Sequence, residues 1–352
     1  LSLIAPILYT ASTVIVTAIF VLVVVLLVLA PGEVIGLRAG WSRRDAKLPA
    51  SLPYYVDLDG QGTRGKPGKP SLPDQPRAPE RYLVYLDGVG KAAPRDTRVA
   101  REVIKRLGSV LPGTRFVGHI TPYSPLNRAL AAHPRLGRWW RLVAKRFRIL
   151  IFLRNIAHFL VASDRRYQDT YREAIAETVL EHLTASGYVR GSRAPLVIVG
   201  YSGGAEAAVS IAPLLQVALQ TPPVTIVSIG GVVDARSHLP GVEHLYHFVS
   251  RHDWVERLGR MVFPAHWRVA SRSGWNVARR AGRIGVHRLD EARHFGKRGY
   301  LSSAPRFTDG SSQLDRTLDA VSRVLTRDQH VAVDRAVDAV PEAEVRRPIA
   351  HL

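Results

Sequence analysis

The stretch Pro195-Leu-Val-Ile-Val-Gly200-Tyr201-Ser202-Gly203-Gly204, followed at once by Ala205-Glu206-Ala207-Ala208-Val209, decides how the chain reads. An aliphatic run that ends in Gly-x-Ser-x-Gly and opens into alanine-rich sequence predicts a buried strand, a sharp turn and a helix. Ser202 falls at the tip of that turn. Little room is left beside it, so Gly200 and Gly204 allow strand and helix to approach closely. The Gly203 N–H lies next to the hydroxyl at the start of the helix, where unpaired amides and the helix dipole favour an oxyanion. The competing reading is a serine that only caps the helix. The residues able to act with it separate the two.

A serine hydroxyl is a weak nucleophile at neutral pH. It needs a histidine to take its proton and a carboxylate to orient that histidine. In a parallel sheet such partners come from loops at the carboxyl ends of the strands. The chain alternates as that arrangement requires. Arg81 to Leu86 reads as a strand ended by Asp87-Gly88-Val89-Gly90. Asp96 then caps a helix with Val99, Val103, Ile104 and Leu107 on one face, and Thr114 to Ile120 is a second strand. A helix with Tyr171, Ile175, Val179 and Leu183 four apart closes at Gly187 and precedes the Ser202 strand. Val224 to Ile229, His244 to Val249 and Gly282 to Arg288 are further strands. Ser311 and Ser312 open a last helix through Leu314, Leu318, Val321 and Leu325. Strand, helix and strand at this spacing predict an α/β fold, a mostly parallel sheet with helices on both faces.

Two loops carry the needed residue types. Ser250-Arg251-His252-Asp253-Trp254 follows one strand, and Asp290-Glu291-Ala292-Arg293-His294-Phe295-Gly296 follows the last. The order Ser202, Asp253, His294 is the order of the α/β-hydrolase fold. Alternatives exist at each position. Asp253 could merely cap a helix beginning near Val255, and Asp234 could serve as the acid. His287 competes with His294 but lies within a predicted strand. His252 reads as a surface loop residue, and Glu206 as a first-turn acid that complements the helix dipole.

On these residues the segment 81–327 resembles an α/β-hydrolase of the lipase and esterase type. Gly200-Tyr-Ser-Gly-Gly204 is a common elbow variant there, and His294-Phe-Gly-Lys-Arg-Gly-Tyr300-Leu301 resembles the histidine loop of lipase-like members. The resemblance implies the α/β-hydrolase fold, with Ser202 as nucleophile, Asp253 as acid and His294 as base. It implies one oxyanion donor from the loop at Gly88 or Val89 and a second from Gly203. The chain departs from the family in carrying Asp87-Gly88-Val89-Gly90 where a His-Gly-Gly-Gly stretch would stand. The expected activity is cleavage of carboxylic esters, lipid esters among them, through an acyl-serine and without metal or organic cofactor. An acyltransferase with the same triad, or a membrane-tethered scaffold that lost the chemistry, are the alternatives.

The remaining sequence speaks of a membrane. Residues 1–32 contain no charged side chain and predict one transmembrane helix. Arg38, Arg43, Arg44 and Lys47 follow it, which by the positive-inside rule keeps this flank, and the large domain, cytoplasmic. Residues 33–80 form a basic juxtamembrane and Pro/Gly-rich linker. Within 137–163, Arg138, Arg141, Lys145 and Arg148 make a basic stripe beside Trp139 and Trp140, which suits a lid or a membrane-contact insertion. Residues 328–352 read as a loose polar tail. The 352-residue chain holds 49 Lys and Arg against 29 Asp and Glu, a net charge of +20. That excess attracts phosphate-rich surfaces, and the expected partners are the lipid bilayer and an ester or lipid substrate. No nucleic-acid-binding motif accompanies the charge. Cysteine is absent, which excludes disulfides and thiolate metal sites, and the thirteen histidines include no helical His-x-x-x-His pair beside a Glu.

Overall fold

A computed structural model describes residues 79–89, 97–122, 168–234 and 238–338, with three helical positions at Thr13, Thr17 and Phe20. In chain order the elements are β1 (Arg81–Leu86), α1 (Thr97–Val110), β2 (Thr114–Ile120), α2 (Gln168–Ala185), β3 (Leu196–Tyr201) and α3 (Gly203–Leu219). There follow β4 (Val224–Ile229), β5 (Val242–Val249), α4 (Trp254–Val262), α5 (Gly274–Arg280), β6 (Ile284–Arg288) and α6 (Gln313–Asp338). The strands form one sheet in the order β2-β1-β3-β4-β5-β6, with every pairing parallel. Parallel neighbours need a crossover between them; α1, α3 and the α4–α5 pair supply it for β1/β2, β3/β4 and β5/β6, while among the described residues no helix lies between β4 and β5. The chain leaves β1 toward β2 and returns to lay β3 on the other side of β1. Strand order therefore reverses at the β1/β3 boundary, the position at which open parallel sheets in general carry their sites.

The period-two alternation of strand side chains sorts the core into two layers. Tyr82, Val84 and Leu86 of β1 and Leu196 and Ile198 of β3 point to one face, against Ile175, Val179 and Leu183 of α2 and the alanine-rich side of α3. Leu83, Tyr85, Val197, Val199 and Tyr201 point to the other, against Leu107 of α1 and Leu314, Leu318 and Val321 of α6. Both faces are buried, which explains why β3, and β1 after Arg81, read as near-continuous apolar runs. Ser312 caps α6 reciprocally. Its Oγ accepts from the Asp315 N–H at 3.2 Å while the Asp315 carboxylate accepts from the Ser312 N–H at 2.7 Å. Asp315 also pairs with Arg106, fastening α6 to α1.

One boundary moves. The loose tail expected from residue 328 does not begin there, because the backbone of α6 stays helical to Asp338. Residues 328–338 contain no glycine or proline, and the first helix breaker is Pro341. Among the described residues no helix is long and apolar enough to cross a membrane. Apart from Thr13, Thr17 and Phe20, residues 1–32 lie outside the described set, as do the linker 33–78 and the basic segment 137–163.

The turn between α4 and α5 is tied back to the sheet by His266. Its Nε2–H donates to the Val233 carbonyl at 2.6 Å, its ring packs on Trp275, and its Nδ1 is buried with no hydrogen-bond partner. A proton added at Nδ1 would be a buried charge with no acceptor, and burial lowers the His266 pKa to about 4. The unfolded chain, with an ordinary histidine pKa near 6.5, therefore binds more protons between those values. Stability is full above about pH 6.5 and falls as pH drops toward 4, by as much as roughly 3 kcal/mol from this residue. Thermal unfolding of wild type and His266→Gln, which keeps an N–H for Val233, checks this. The variant is expected to be the less stable at pH 7.5, with the gap closing or reversing by about pH 4.5. A gap that stays constant across that range would contradict it.

Candidate active site

Ser202 joins β3 to α3 with φ 53° and ψ −124°, a conformation that L residues rarely hold. Such a backbone costs about 1–3 kcal/mol and persists only where its surroundings enforce it. Its N–H donates to the Ile229 carbonyl at the end of β4 at 3.0 Å, and its carbonyl accepts from Ala205 N–H at 3.1 Å. The glycines enforce the rest. A Cβ on Gly204 would stand 2.3 Å from the Leu86 carbonyl oxygen, and one on Gly200 would stand 2.6 Å from the Ala205 backbone. Ser202 occupies the N-cap position of α3, yet its side chain makes no cap hydrogen bond. The hydroxyl instead faces His294, with 2.8 Å between Oγ and Nε2. The capping alternative is thereby answered.

The other ring nitrogen of His294, Nδ1, lies 2.9 Å from Asp253 Oδ2 and 3.1 Å from Oδ1. Serine, histidine and carboxylate form one line, drawn from the carboxyl ends of β3, β5 and β6, and all three side chains are buried. Asp253 does cap α4 as well, its Oδ1 accepting from the N–H groups of Val255 at 2.9 Å and Glu256 at 3.1 Å. The two readings of Asp253 are compatible because each carboxylate oxygen offers two lone pairs. Asp234 does not replace it: its N–H donates to Glu206 Oε2 at 2.6 Å, and both partners of His294 Nδ1 are Asp253 oxygens. His287 stays in β6, stacked on Phe248. His252 is exposed and accepts from Arg251 Nε–H at 3.2 Å. Glu206 is more than a first-turn acid, for it is buried and braces the segment after β4.

Sequence reasoning missed two tyrosines. Tyr201, immediately before Ser202, donates its hydroxyl to the His294 carbonyl at 2.6 Å, and its ring stacks with the imidazole at 25° between planes. It pins the His294 loop from the strand that leads into Ser202. Burial, then Asp87 and Asp253, raise its pKa far beyond the physiological range, so it stays a donor. Tyr300 closes the far side of the histidine loop. Its ring edge faces His294, and its hydroxyl is pushed strongly upward by burial and by the Asp253 charge. The signal for both lay in motifs already quoted, the second position of the elbow and the end of the histidine loop.

Gly88 comes beside Ser202: a Cβ on Gly88 would meet Ser202 Cβ at 2.9 Å. The Gly88 N–H, however, donates to the buried Asp87 Oδ1 at 2.9 Å. That amide is thus engaged by the side chain of the preceding residue. A second serine and histidine group stands behind Asp253. Ser228 Oγ lies 2.9 Å from His247 Nδ1, His247 Nε2 3.7 Å from Glu256 Oε1, and Arg260 donates to the same oxygen at 2.7 Å. Ser228 is fully buried within β4 and unreachable by a substrate, so this group is a brace. Among the described residues no group of three His, Asp or Glu is placed to hold a metal ion.

No family model and no curated protein matches the chain. Among solved structures it is similar to a crystal structure of esterase PE8, at 15% identity over 71% of this chain and 93% of that one, with a TM-score of 0.38. It is similar also to RedJ with a PEG molecule bound in the active site, at 14% identity over 76% of this chain and 98% of that one, with a TM-score of 0.34. With both scores below 0.5 neither likeness decides fold or chemistry, which rest on the parallel sheet and on the line from Ser202 through His294 to Asp253.

Proposed function

We propose that the chain is a serine hydrolase cleaving carboxylic esters through an acyl-Ser202 intermediate. The observation that carries this reading is His294 standing between Ser202 Oγ at 2.8 Å and Asp253 Oδ2 at 2.9 Å. His294 Nε2 takes the hydroxyl proton as Oγ bonds to the ester carbonyl carbon, and Asp253 stabilises the resulting imidazolium through Nδ1–H. The oxyanion forms at the amino end of α3 beside the Gly203 N–H, where the helix dipole is favourable, with the Gly88–Val89 loop as the opposite wall. The imidazolium then gives its proton to the leaving alcohol as the C–O bond breaks. Water repeats the sequence on the acyl-enzyme and releases the acid. Tyr201 acts as a positioning residue that fixes the imidazole plane. The uncharged residues 1–32 favour a membrane-anchored form, which makes lipid esters an accessible substrate class.

A fluorophosphonate probe is expected to label wild type and not Ser202→Ala, read by gel fluorescence; an unlabelled, folded wild type would sink the hydrolase reading. Ser202→Gly is expected to lose labelling while gaining roughly 1 kcal/mol of stability, because glycine removes the backbone strain at φ 53°. A lower thermal midpoint for that variant would contradict the strain. Tyr201→Phe is expected to cut kcat for a short-chain ester about tenfold with little change in KM, since a looser imidazole weakens proton transfer and leaves ground-state binding intact. Unchanged kcat would remove Tyr201 from the machinery.

A further inference from the structure

α4 presents a surface that a water-soluble face does not explain. Trp254, Leu258, Met261 and Val262 fall at i, i+4, i+7 and i+8, one side of the helix, and are 62%, 50%, 69% and 60% exposed. Beyond the helix Trp267 and Val269 extend the patch, Val269 at 86% exposure. A helix normally turns its apolar stripe toward the core. Here the core-facing positions are Glu256 and Gly259, both buried, and the apolar stripe looks outward.

The exposure does not come from a frayed loop. Asn276 Nδ2 donates to the carbonyls of Ala265, Trp267 and Ala270 at 3.3, 2.9 and 3.0 Å, and Ser273 Oγ donates to Ala265 at 2.6 Å. The Trp267 indole N–H donates to the Arg260 carbonyl at 3.2 Å, holding the loop against the end of α4. The apolar groups are therefore displayed on a stiff frame, with their ordering cost already met before any partner arrives.

Charge identifies the partner. Between Trp254 and Arg280 all six arginines are exposed, and the single carboxylate, Glu256, is buried against Arg260. Tryptophan, methionine and aliphatic side chains interleaved with arginine and free of exposed acid match the boundary between anionic headgroups and acyl chains. The patch also borders the site: Trp254 follows Asp253, and Phe295, 47% exposed, follows His294 with its ring 4.4 Å from the imidazole. We propose that the outward face of α4 and the loop to α5 form a docking surface for an anionic lipid bilayer, setting the Ser202 site at the membrane interface. This surface is distinct from residues 1–32 and 137–163.

The absence of native cysteine allows a local test in the full chain. Met261→Cys carries an NBD fluorophore, and Val217→Cys, 76% exposed on α3, carries the same label as reference. Vesicles of phosphatidylcholine with phosphatidylglycerol, and of phosphatidylcholine alone, are then added. Emission at position 261 is expected to move to the blue and rise at least about twofold with the anionic vesicles, as for a group entering the acyl boundary. Position 217 is expected to stay unchanged. Arg257→Gln/Arg268→Gln/Arg272→Gln, or about 1 M salt where the Debye length is about 3 Å, is expected to remove at least about half of the rise. No response at 261 to anionic vesicles overturns the proposal. So does an equal response at 217, or a label at 261 already shielded without lipid, which would assign the face to another part of the chain or to a second copy. The readout needs no turnover. A silent label in a protein that still reacts with fluorophosphonate rejects the surface and leaves the hydrolase reading standing.

Discussion

The close approach of β3 and α3 to the end of β1 is the constraint on which the rest of the structure depends. With Gly204 lying where any Cβ would strike the Leu86 carbonyl oxygen at 2.3 Å, the helix starts directly against the neighbouring strand. The chain has no length in which to relax between Tyr201 and Gly203, so Ser202 takes the positive φ. That forced conformation lifts the hydroxyl out of cap geometry and aims it across the carboxyl ends of β4 and β5. Packing between two apolar layers holds the strain in place, since relief at Ser202 would require prying α3 off the sheet, and α3 contributes much of the buried apolar surface on that face.

Distance from strand to strand then determines which residues can take part. Ser202, Asp253 and His294 arise beyond the ends of three strands that are not all adjacent, and the gap is closed by side chains that do two jobs. Asp253 holds two amides of α4 with one oxygen and meets His294 chiefly with the other. Tyr201 belongs to the core layer under α6 by its ring and to the histidine loop by its hydroxyl. Glu256 supplies an amide to Asp253 and a carboxylate to Arg260 and His247. A buried carboxylate is costly unless it is hydrogen-bonded or paired, and these shared contacts offset that cost for Asp253 and, through Oε1, for Glu256, whose Oε2 is buried without a partner.

Much of this was legible in the sequence because the strands are rich in β-branched and aromatic residues and are bounded by glycine, proline and aspartate. β1, β2 and β4 have the bounds their composition predicts, and the Ser202, Asp253 and His294 loops follow from the parallel order. Where reading failed, the deciding interaction was long-range. β5 begins at Val242, ahead of the expected His244, because Val242 pairs with Val224 across the sheet despite the intervening Glu243. β6 begins at Ile284 because Gly282 turns with φ 72°. α5 is seven residues long, too short for a periodicity, and rests on Asn276 contacts to residues six to eleven positions away. The sequence also offers no pattern from which the hydrogen bond between the Gly88 amide and the Asp87 carboxylate could be read.

The two functions argued for the α4 region meet in one turn of helix. Its N-cap is the carboxylate that orients His294, and its first residue begins the exposed apolar stripe. A helix anchored only by its cap would transmit any tug on its outer face directly to the imidazole. Here the inner face is fixed independently: Glu256 is clamped by Arg260 and placed against His247, and Gly259 lets the helix settle against Val232, where a Cβ would meet Val232 Cγ1 at 2.6 Å. Since His247 is in turn bound to Ser228, the brace runs from the helix through β5 into β4, the strand whose last carbonyl holds the Ser202 amide. α4 is thus fastened to the same sheet that carries Ser202 and Asp253. The buried Ser228–His247–Glu256 group, out of reach of any substrate, is by its contacts a support for the turn that holds Asp253 against His294.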